Sequence, residues 1–303
     1  MAAITEVLRG ISSQEHVKID VVKDGAQSTV LQVTEHALED DKKPNGWNGT
    51  YVNGKDPYAL MRGCNANSRS PWIPYHPDIP IQAADLKIAD VATGNGIWLQ
   101  DVARNKLSSA GFHGFDISLD QVGPKPWLPS NIHMHTWNIF EDPPEEFVGY
   151  FDIVHVRLIT VVVKNNDPRP ILTTLTKLLK PGGYLQWDEV DTIGSSIKTV
   201  PGVSGENLDT LFDQLRGKDT WKYQLTEIMD ENGYTSSKLY TYEYEREVAR
   251  FWNDVYVSTW KEFADNALKT PEVSNELERK AMDEARNGAA IHVPKLVWVG
   301  RKV

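Results

Sequence analysis

The feature that most constrains the fold is a short apolar segment that ends in an acid and runs directly into a glycine turn. Residues 87–98 have the sequence Lys-Ile-Ala-Asp-Val-Ala-Thr-Gly-Asn-Gly-Ile-Trp, with Asp90 at the strand end and Gly94 and Gly96 in the turn. Glycine reaches backbone angles closed to other residues and lets the chain approach a ligand closely. An amphipathic helix follows, so the segment predicts the first strand–turn–helix unit of a nucleotide-binding α/β domain.

The spacing of the turn separates two classes of ligand. A dinucleotide fingerprint needs a third glycine three residues after the second, where a pyrophosphate binds the helix N-terminus. That position is Leu99. Asp90 would repel a pyrophosphate but could hold a cationic amino-acid group, directly or through water. The spacing therefore disfavours a dinucleotide.

Further strands follow at the intervals expected of an alternating α/β domain. Residues 111–118 form a second predicted strand ending in Asp116, whose carboxylate can accept hydrogen bonds from both hydroxyls of a ribose. Residues 131–139 alternate like a third strand and include Asn138, whose amide can pair with an adenine edge. A fourth strand is predicted over residues 150–159.

The pattern continues with a helix and a fifth strand. Residues 167–179 begin with a capping Asp and a Pro, repeat leucines at helical spacing and stop at Pro-Gly-Gly. The segment from Gly183 to Glu189 is the predicted fifth strand. Alternating strands and helices over about residues 84–190 favour one central sheet.

Three of these segments resemble the class I S-adenosylmethionine-dependent methyltransferases, most closely the fungal small-molecule methyltransferases of secondary metabolism. They are Asp90–Trp98, Phe151–Arg157 and Leu179–Glu189, and the resemblance is strong over about residues 50–195. It implies an α/β fold with a Rossmann-like, seven-stranded, mostly parallel sheet and helices on both faces. Ala92 stands where the family usually has glycine.

The resemblance implies S-adenosylmethionine as cofactor and methyl transfer to an O, N or S atom of a small metabolite. It also implies that a tyrosine and an arginine ahead of the first strand face the methionine end of the cofactor, and Tyr58 and Arg69 are the nearest matches. Trp98 either covers the adenosine or closes the first helix against the sheet. The predicted cofactor-binding residues are Tyr58, Arg69, Asp90, Ala92, Gly94, Gly96, Trp98, Asp116, Ile117, Asn138, Ile139 and His155.

Candidate catalytic residues lie near the ends of the fourth and fifth strands, because open α/β sheets bind ligands at the carboxyl ends of their strands. They are His155, Asp188 and Glu189. Strand alternation leaves open that His155 faces a helix layer instead, and that Asp188 is a helix cap or a loop acid. Arg157 holds the cofactor carboxylate or pairs with Asp152.

Aromatic residues suggest the kind of substrate. The chain has 10 Trp residues, a high count that favours a flat aromatic or heterocyclic ligand, although each one taken alone fits a core position. The predicted substrate-binding residues are Arg157, Trp187, Trp252 and Tyr256.

Composition narrows the possible binding partners of the protein. A net charge of −10 without a basic run argues against nucleic acid, since phosphate binding needs clustered Lys and Arg. The apolar runs are far shorter than the ~20 residues that cross a bilayer. The single Cys64 excludes an internal disulfide, and no cluster of metal ligands stands out. We expect a cytoplasmic monomer or homodimer without a metal.

The rest of the chain is predicted to complete and cover the sheet. Residues 1–80 form an N-terminal extension or lid, and residues 81–303 form the methyltransferase domain with a helical insertion at about 195–220. Helices are predicted over 203–216, 220–232 and 247–268, and a strand over 234–246. The resemblance implies that a closing strand over 295–300 lies antiparallel between strands five and six, which is physically ordinary.

Two alternative functions remain open. One is a cofactor-binding homologue that transfers no methyl group and acts as a pericyclase, an isomerase or a pathway regulator. The other is a dinucleotide-dependent oxidoreductase, which Leu99 disfavours.

Overall fold

The computed structural model describes residues 18–23, 29–34, 75–80, 85–104, 110–213, 216–217, 219–243, 248–265 and 271–303. Tyr58, Cys64 and Arg69 lie outside these ranges, as does most of the predicted extension. The strands are β1 (Lys18–Lys23), β2 (Thr29–Thr34), β3 (Lys87–Val91), β4 (Gly111–Asp116), β5 (Ile132–Thr136), β6 (Phe151–Arg157), β7 (Leu179–Val190), β8 (Ser196–Thr199), β9 (Tyr234–Tyr242), β10 (Ala289–His292) and β11 (Lys295–Lys302). The α-helices are α1 (Ile97–Arg104), α2 (Arg169–Leu178), α3 (Glu206–Asp213), α4 (Leu225–Glu231), α5 (Ala249–Phe263) and α6 (Pro271–Asn287).

Seven strands form the central sheet in the order β5-β4-β3-β6-β7-β11-β9. The pairs among β3, β4, β5, β6 and β7 are parallel, whereas β11 is antiparallel to both β7 and β9. The predicted position of the closing strand is therefore confirmed. This strand order, with one antiparallel strand next to the edge, is the class I methyltransferase fold, so the predicted fold class is confirmed as well.

Helices cover both faces of the sheet, each over its own apolar core. On the first face, Ile88, Ile153 and Val297 pack with Trp98 and Leu99 of α1. On the second face, the core includes residues of α2 and α4 together with strand residues that alternate with those of the first face. The central strands β3, β6, β7 and β11 are thus mostly buried on both sides, whereas much of the edge strands β5 and β9 is exposed.

A third core lies in the helical region around the predicted insertion. The antiparallel pair β8–β10 packs with α3, α5 and α6, and α3 buries Leu208, Leu211 and Phe212. Within the predicted helix 203–216 the structure describes α3, and residues 214–215 lie outside the described ranges. Within the predicted helix 247–268 it describes α5, and residues 247 and 266–268 lie outside those ranges. Neither α6 nor the β8–β10 pair was predicted.

The predicted crossover helix over 220–232 has two parts. Residues Thr220–Gln224 form a 3₁₀ turn, and α4 follows directly. Gly233 ends it with φ +89°, a left-handed conformation that favours glycine. Within the described ranges, no helix combines the length and apolar character needed to span a bilayer.

Candidate active site

The glycine turn joins β3 to α1 and is tied to the end of the neighbouring strand β4. The Gly94 N–H donates to Asp116 Oδ2 at 2.8 Å, and the Thr93 N–H donates to the Phe115 carbonyl at 3.0 Å. Gly96 has φ +73°, and a Cβ added there would lie 2.4 Å from Cε of Met134 on β5. The left-handed backbone angle therefore favours glycine at this position, and a Cβ would in addition require the flexible end of the Met134 side chain to shift.

Ala92 adopts φ 56°, which explains why glycine would be the easier residue at this position. The left-handed region costs an alanine about 1 kcal/mol relative to glycine. Its side chain is exposed, so the methyl group meets no core atoms. Alanine is therefore tolerated at this position at the cost of local backbone strain.

Asp116 lies at the carboxyl end of β4 with acceptor capacity to spare. Oδ2 accepts the Gly94 N–H at 2.8 Å, Oδ1 receives a long contact of 3.4 Å from the Ser118 N–H, and the Ile117 N–H also acts on the carboxylate. Burial raises the pKa of Asp116, although the backbone N–H groups of Gly94 and Ser118 oppose the shift. The next residue, Ile117, is exposed beside it.

The predicted residues beyond β5 form a turn. The Asn138 side chain accepts the Phe140 N–H at 3.1 Å and donates to Glu141 at 3.4 Å. Ile139 packs partly against the second-face core. Asn138 therefore shapes the loop that follows the third parallel strand, with its amide held at the surface of that loop.

A buried row of polar side chains crosses the first face at the carboxyl ends of β3, β6 and β7. His155 Nδ1 lies 2.7 Å from Asp90 Oδ1, and His155 Nε2 lies 3.2 Å from Asp188 Oδ2. The Thr93 hydroxyl donates to the other Asp90 oxygen at 2.6 Å. Trp98 stacks on the imidazole, with 3.8 Å between ring centroids and 1° between ring planes. Both His155 nitrogens are therefore engaged by carboxylates.

Asp188 is the centre of this row. Arg157 donates to its Oδ2 through Nε at 3.2 Å and Nη2 at 3.0 Å, and Gln186 donates to its Oδ1 at 3.0 Å. Burial disfavours the charged form of Asp188, but His155 and Arg157 outweigh it and lower the pKa. Asp188 is thus held as a carboxylate within the sheet, and the alternative roles of helix cap or loop acid are wrong.

The pairing of Arg157 with Asp152, one of the two expected alternatives, is wrong. Asp152 instead accepts Lys180 Nζ at 2.8 Å and the Lys87 N–H at 2.8 Å, at the opposite end of β6. Residues 152 and 157 lie on opposite faces because their separation along the strand is odd.

Glu189 lies on the second face, away from Asp188. It accepts hydrogen bonds from the Ile159 N–H at 2.9 Å, the Thr160 hydroxyl at 2.9 Å and Trp187 Nε1 at 3.2 Å. Burial raises the pKa of Glu189. The side chain therefore secures the loop after β6 instead of joining the polar row.

The predicted substrate-binding tryptophans separate into two environments. Trp187 is fully buried in the second-face core beside Trp221, so it contacts the core and not the polar row. Trp252 on α5 places its ring 4.9 Å from Lys295 Nζ. Tyr256 packs against Phe212 and Trp252 in the helical core. Trp252 is thus the aromatic that connects the helical region to the sheet edge.

Lys295 was not predicted as a site residue. Because β11 is antiparallel, its first residue lies at the carboxyl edge of β7, opposite Val190 and Tyr242 in register. The side chain is 2% exposed. Burial and the nearby Arg157 lower the pKa of Lys295 to about 7, although Asp188 opposes the shift. One feature of the sequence could have indicated this residue: the lysine stands directly before the apolar run of residues 296–299.

His76 was also not predicted as a site residue. Its contacts hold residues 75–80 against the first face of the sheet. Its N–H donates to Gln186 Oε1 at 2.8 Å, and its Nε2 lies 2.9 Å from the Tyr242 hydroxyl. The ring stacks on Tyr240 with 3.8 Å between centroids. Burial lowers the pKa of His76. In the part of the chain that the structure describes, no cluster of three or more His, Cys, Asp or Glu side chains could hold a metal ion.

Comparison with known proteins identifies fungal relatives. A segment of 111 residues is 37% identical to the methyltransferase grgD of a Penicillium species, covering 35% of this chain and 39% of that protein. The N-methyltransferase gliN of Aspergillus fumigatus is 34% identical over 112 residues, covering 37% of this chain and 39% of that protein. The secondary metabolism regulator LAE1 of Gibberella fujikuroi is 29% identical over 115 residues, covering 38% of this chain and 35% of that protein.

No protein-family model matches the chain. The matched segment spans about two fifths of the length of the curated relatives. Within that segment the chain is related to the fungal secondary-metabolism methyltransferases, and the predicted resemblance is confirmed.

Proposed function

We propose that this protein is an S-adenosylmethionine-dependent methyltransferase that acts on an O, N or S atom of a small aromatic or heterocyclic metabolite. The observation that carries the proposal is the hydrogen bond from the Gly94 N–H to Asp116, which joins the glycine turn to the acid at the end of the adjacent strand. The name of the relative gliN, an N-methyltransferase, favours nitrogen as the acceptor atom.

The residues at the turn fit this cofactor. Oδ1 of Asp116 is available for ribose hydroxyls. Trp98 Nε1 is buried and has no hydrogen-bond partner among the described residues, so a polar atom at the start of α1 is left for a ligand or a water to satisfy. We assign Asp90 to shaping the turn, because Thr93 and His155 occupy both of its oxygens. Tyr58 and Arg69 remain proposed contacts to the methionine end.

The cofactor supplies an electrophilic methyl group on a sulfonium sulfur. The task of the protein is then to hold the acceptor atom in line with that group. Alignment contributes about 7–11 kcal/mol, whereas a general base contributes about 10²–10⁴-fold in rate. Positioning by the sheet edge and the helical region therefore matters more than any single titratable group.

Binding of S-adenosylhomocysteine tests the cofactor assignment. Asp116→Asn keeps the shape and an oxygen that can accept the Gly94 N–H, but it removes the charged acceptor for the ribose. We expect affinity in a calorimetric titration to fall at least about tenfold, since a hydrogen bond to a charged group contributes about 1.5–3 kcal/mol. The matched control is Asp230→Asn on the exposed side of α4. Equal affinity in the two variants would refute the assignment of Asp116.

Mass spectrometry tests the transfer itself. Host extract incubated with the protein and S-adenosylmethionine should contain a metabolite that gains the mass of one CH₂ group. The control reaction contains Asp116→Asn at the same concentration. Absence of such a metabolite, with cofactor binding intact, would favour the second candidate.

That second candidate is a cofactor-binding regulator without transfer to a small molecule. The similarity to LAE1, named a secondary metabolism regulator, is the observation in its favour. It predicts S-adenosylhomocysteine binding together with no methylated metabolite. A titration with NADH separates both candidates from an oxidoreductase, which would bind NADH instead.

A further inference from the structure

An amine lies buried at the edge of the sheet where the acceptor substrate is expected. Lys295 shares the first face with Val297, because alternate residues of a strand point the same way. That face also carries the row formed by Asp90, His155 and Asp188. Ligands of open α/β sheets bind outside the carboxyl ends of the parallel strands, which is the end of the sheet where β11 begins.

Among the described residues, groups on β6, β7, β9 and α5 surround Lys295. Arg157 on β6 and Asp188 on β7 both act on its charge. Tyr242 lies directly opposite on β9, and burial raises the pKa of that phenol, so it stays neutral. The Trp252 ring of α5 lies over Nζ. Burial and Arg157 together favour the neutral amine, whose pKa of about 7 suits proton transfer near neutral pH.

The candidate bases predicted from the sequence hold parts of the sheet together. Both nitrogens of His155 face carboxylates, and Asp188 already accepts from Arg157 and Gln186. Glu189 lies on the opposite face and holds the loop after β6. Among the titratable groups described at this edge, Lys295 combines a lone pair at neutral pH with a position beside an aromatic residue of the helical region.

We propose that the Lys295 amine accepts the proton lost by the N–H or O–H acceptor of the substrate during methyl transfer, with the Trp252 ring as the aromatic surface against which that substrate stacks. This rests on the proposed function. The acceptor atom forms a bond to the methyl carbon as the bond from that carbon to sulfur breaks. The sulfur keeps the bonding electron pair as a thioether, and the proton passes to Nζ, which becomes an ammonium and later releases the proton to water.

The structure adds a requirement to this proposal. Nζ is covered in the arrangement described, so a substrate that reaches it must displace the Trp252 ring from above the amine. Trp252→Phe keeps a flat ring of smaller area, whereas Trp252→Ala removes the stacking surface. We expect KM to rise at least tenfold for Trp252→Ala and to change less for Trp252→Phe, with S-adenosylhomocysteine affinity unchanged in both variants.

The pH dependence of stability tests the amine without any substrate. In the unfolded chain a lysine has a pKa near 10.4, so between about pH 7 and pH 10 the unfolded state binds a proton that the native state does not. Native stability then rises with pH over that range. The urea midpoint of the wild type should rise more between pH 7 and pH 9 than that of Lys295→Met. The control Lys198→Met, at an exposed lysine of β8, should keep the wild-type slope. Equal slopes for wild type and Lys295→Met would overturn the proposal.

Transfer to the metabolite identified above provides the second test. The wild-type rate should rise with pH up to about 7 and then level off, because the free amine is the active form. Lys295→Met and Lys295→Arg should each lose at least about a hundredfold in rate. Arginine keeps the charge but cannot accept a proton, so recovery of activity by Lys295→Arg would overturn the proposal in favour of a structural role.

Cofactor binding distinguishes failure of this inference from failure of the proposed function. Lys295→Met should bind S-adenosylhomocysteine as tightly as the wild type. If the wild type itself binds no S-adenosylhomocysteine, the proposed function fails. If binding is normal and Lys295→Met transfers methyl at the wild-type rate with the wild-type pH profile, only the role of Lys295 fails.

Discussion

His155 lies between two buried carboxylates and beneath an indole ring. Asp90 and Asp188 each contact one of its nitrogens, and Trp98 covers the ring face. One ring thus lies within hydrogen-bond distance of carboxylates from two neighbouring strands. The imidazole therefore links β3, β6 and β7 at their carboxyl ends.

Removal of this imidazole should be costly. We expect His155→Ala to lower the free energy of unfolding by about 3–5 kcal/mol, because two buried carboxylates each lose one hydrogen-bond partner and the ring leaves a cavity beneath Trp98. Urea denaturation at pH 7 measures the change. His133→Ala, at an exposed histidine of β5, should stay within about 1 kcal/mol of the wild type. A similar small change at His155 would show that water replaces the ring at little cost.

A further expectation concerns methyl transfer by variants of the three candidate catalytic residues. Because alignment outweighs proton removal, His155→Ala, Asp188→Asn and Glu189→Gln should each retain measurable transfer when folded and saturated with cofactor. Losses should not exceed about 10⁴-fold. Label transfer from S-adenosylmethionine measures the rates. Complete loss in one variant, with both ligands bound, would indicate obligatory acid–base chemistry at that residue.

The sequence predicted Asp90, Asp116, His155 and Asp188 because each lies at or near the carboxyl end of a recognisable strand. Sequence could not separate Asp188 from Glu189, since the faces of a strand become known only when its neighbours are placed. Lys295 was missed for a related reason. Its strand runs against the others, so a residue at the start of β11 reaches the same edge as residues at the ends of β6 and β7.

At the scale of secondary-structure elements, residues of β7 hold the loop that follows β6. Glu189 accepts the Ile159 N–H and the Thr160 hydroxyl, and the Leu158 N–H donates to the Asp188 carbonyl at 3.0 Å. Leu158 adopts φ 54°, a strained conformation for a leucine. The loop after β6 is therefore held by the Glu189 carboxylate and the Asp188 carbonyl.

Glu189→Ala should loosen this loop. Alanine removes both acceptor oxygens, so the Ile159 N–H and the Thr160 hydroxyl both lose their bonds to this side chain. We expect a stability loss of at least about 1–3 kcal/mol and faster hydrogen exchange at the Ile159 amide. Glu145→Ala, at an exposed glutamate, is the matched control. Unchanged exchange at Ile159 would contradict the assigned role.

The central strands could be predicted because they are apolar, short and bounded by turns. The helix α6 could not, because it is rich in charged residues and buries mainly small side chains such as Ala281 and Ala285. Alanines at helical spacing give little apolar periodicity. The β8–β10 pair joins segments far apart in the chain, so no local pattern indicated it.

At the scale of the whole molecule, the described residues form three apolar cores, two on the sheet and one in the helical region. A cluster of histidines lies at the β4–β5 side of the sheet. His113 Nδ1 is 3.0 Å from His135 Nε2, and His133 lies on the same strand as His135. Burial and these two histidines lower the pKa of His113 to about 4.

Acid should therefore destabilise the molecule before its carboxylates titrate. An unfolded histidine binds a proton below about pH 6.5, whereas His113 does so only below about pH 4, so stability falls as pH drops through this range. The loss is up to about 3 kcal/mol. Urea midpoints at pH 7 and pH 5 should differ more for the wild type than for His113→Gln. If the change in urea midpoint between pH 7 and pH 5 is the same for the wild type and His113→Gln, groups other than His113 cause the acid sensitivity.

The position of β11 has a consequence for the order in which the molecule can be completed during translation. β9 leaves the ribosome before β11, yet it pairs in the central sheet with β11 and not with β7. Until β11 is made, β9 has no neighbour in that sheet, and β7 presents an open side to other chains. The nascent domain is therefore most exposed to strand mispairing in that interval. The interval ends when β11 is made, and β11 also carries Lys295, the buried amine.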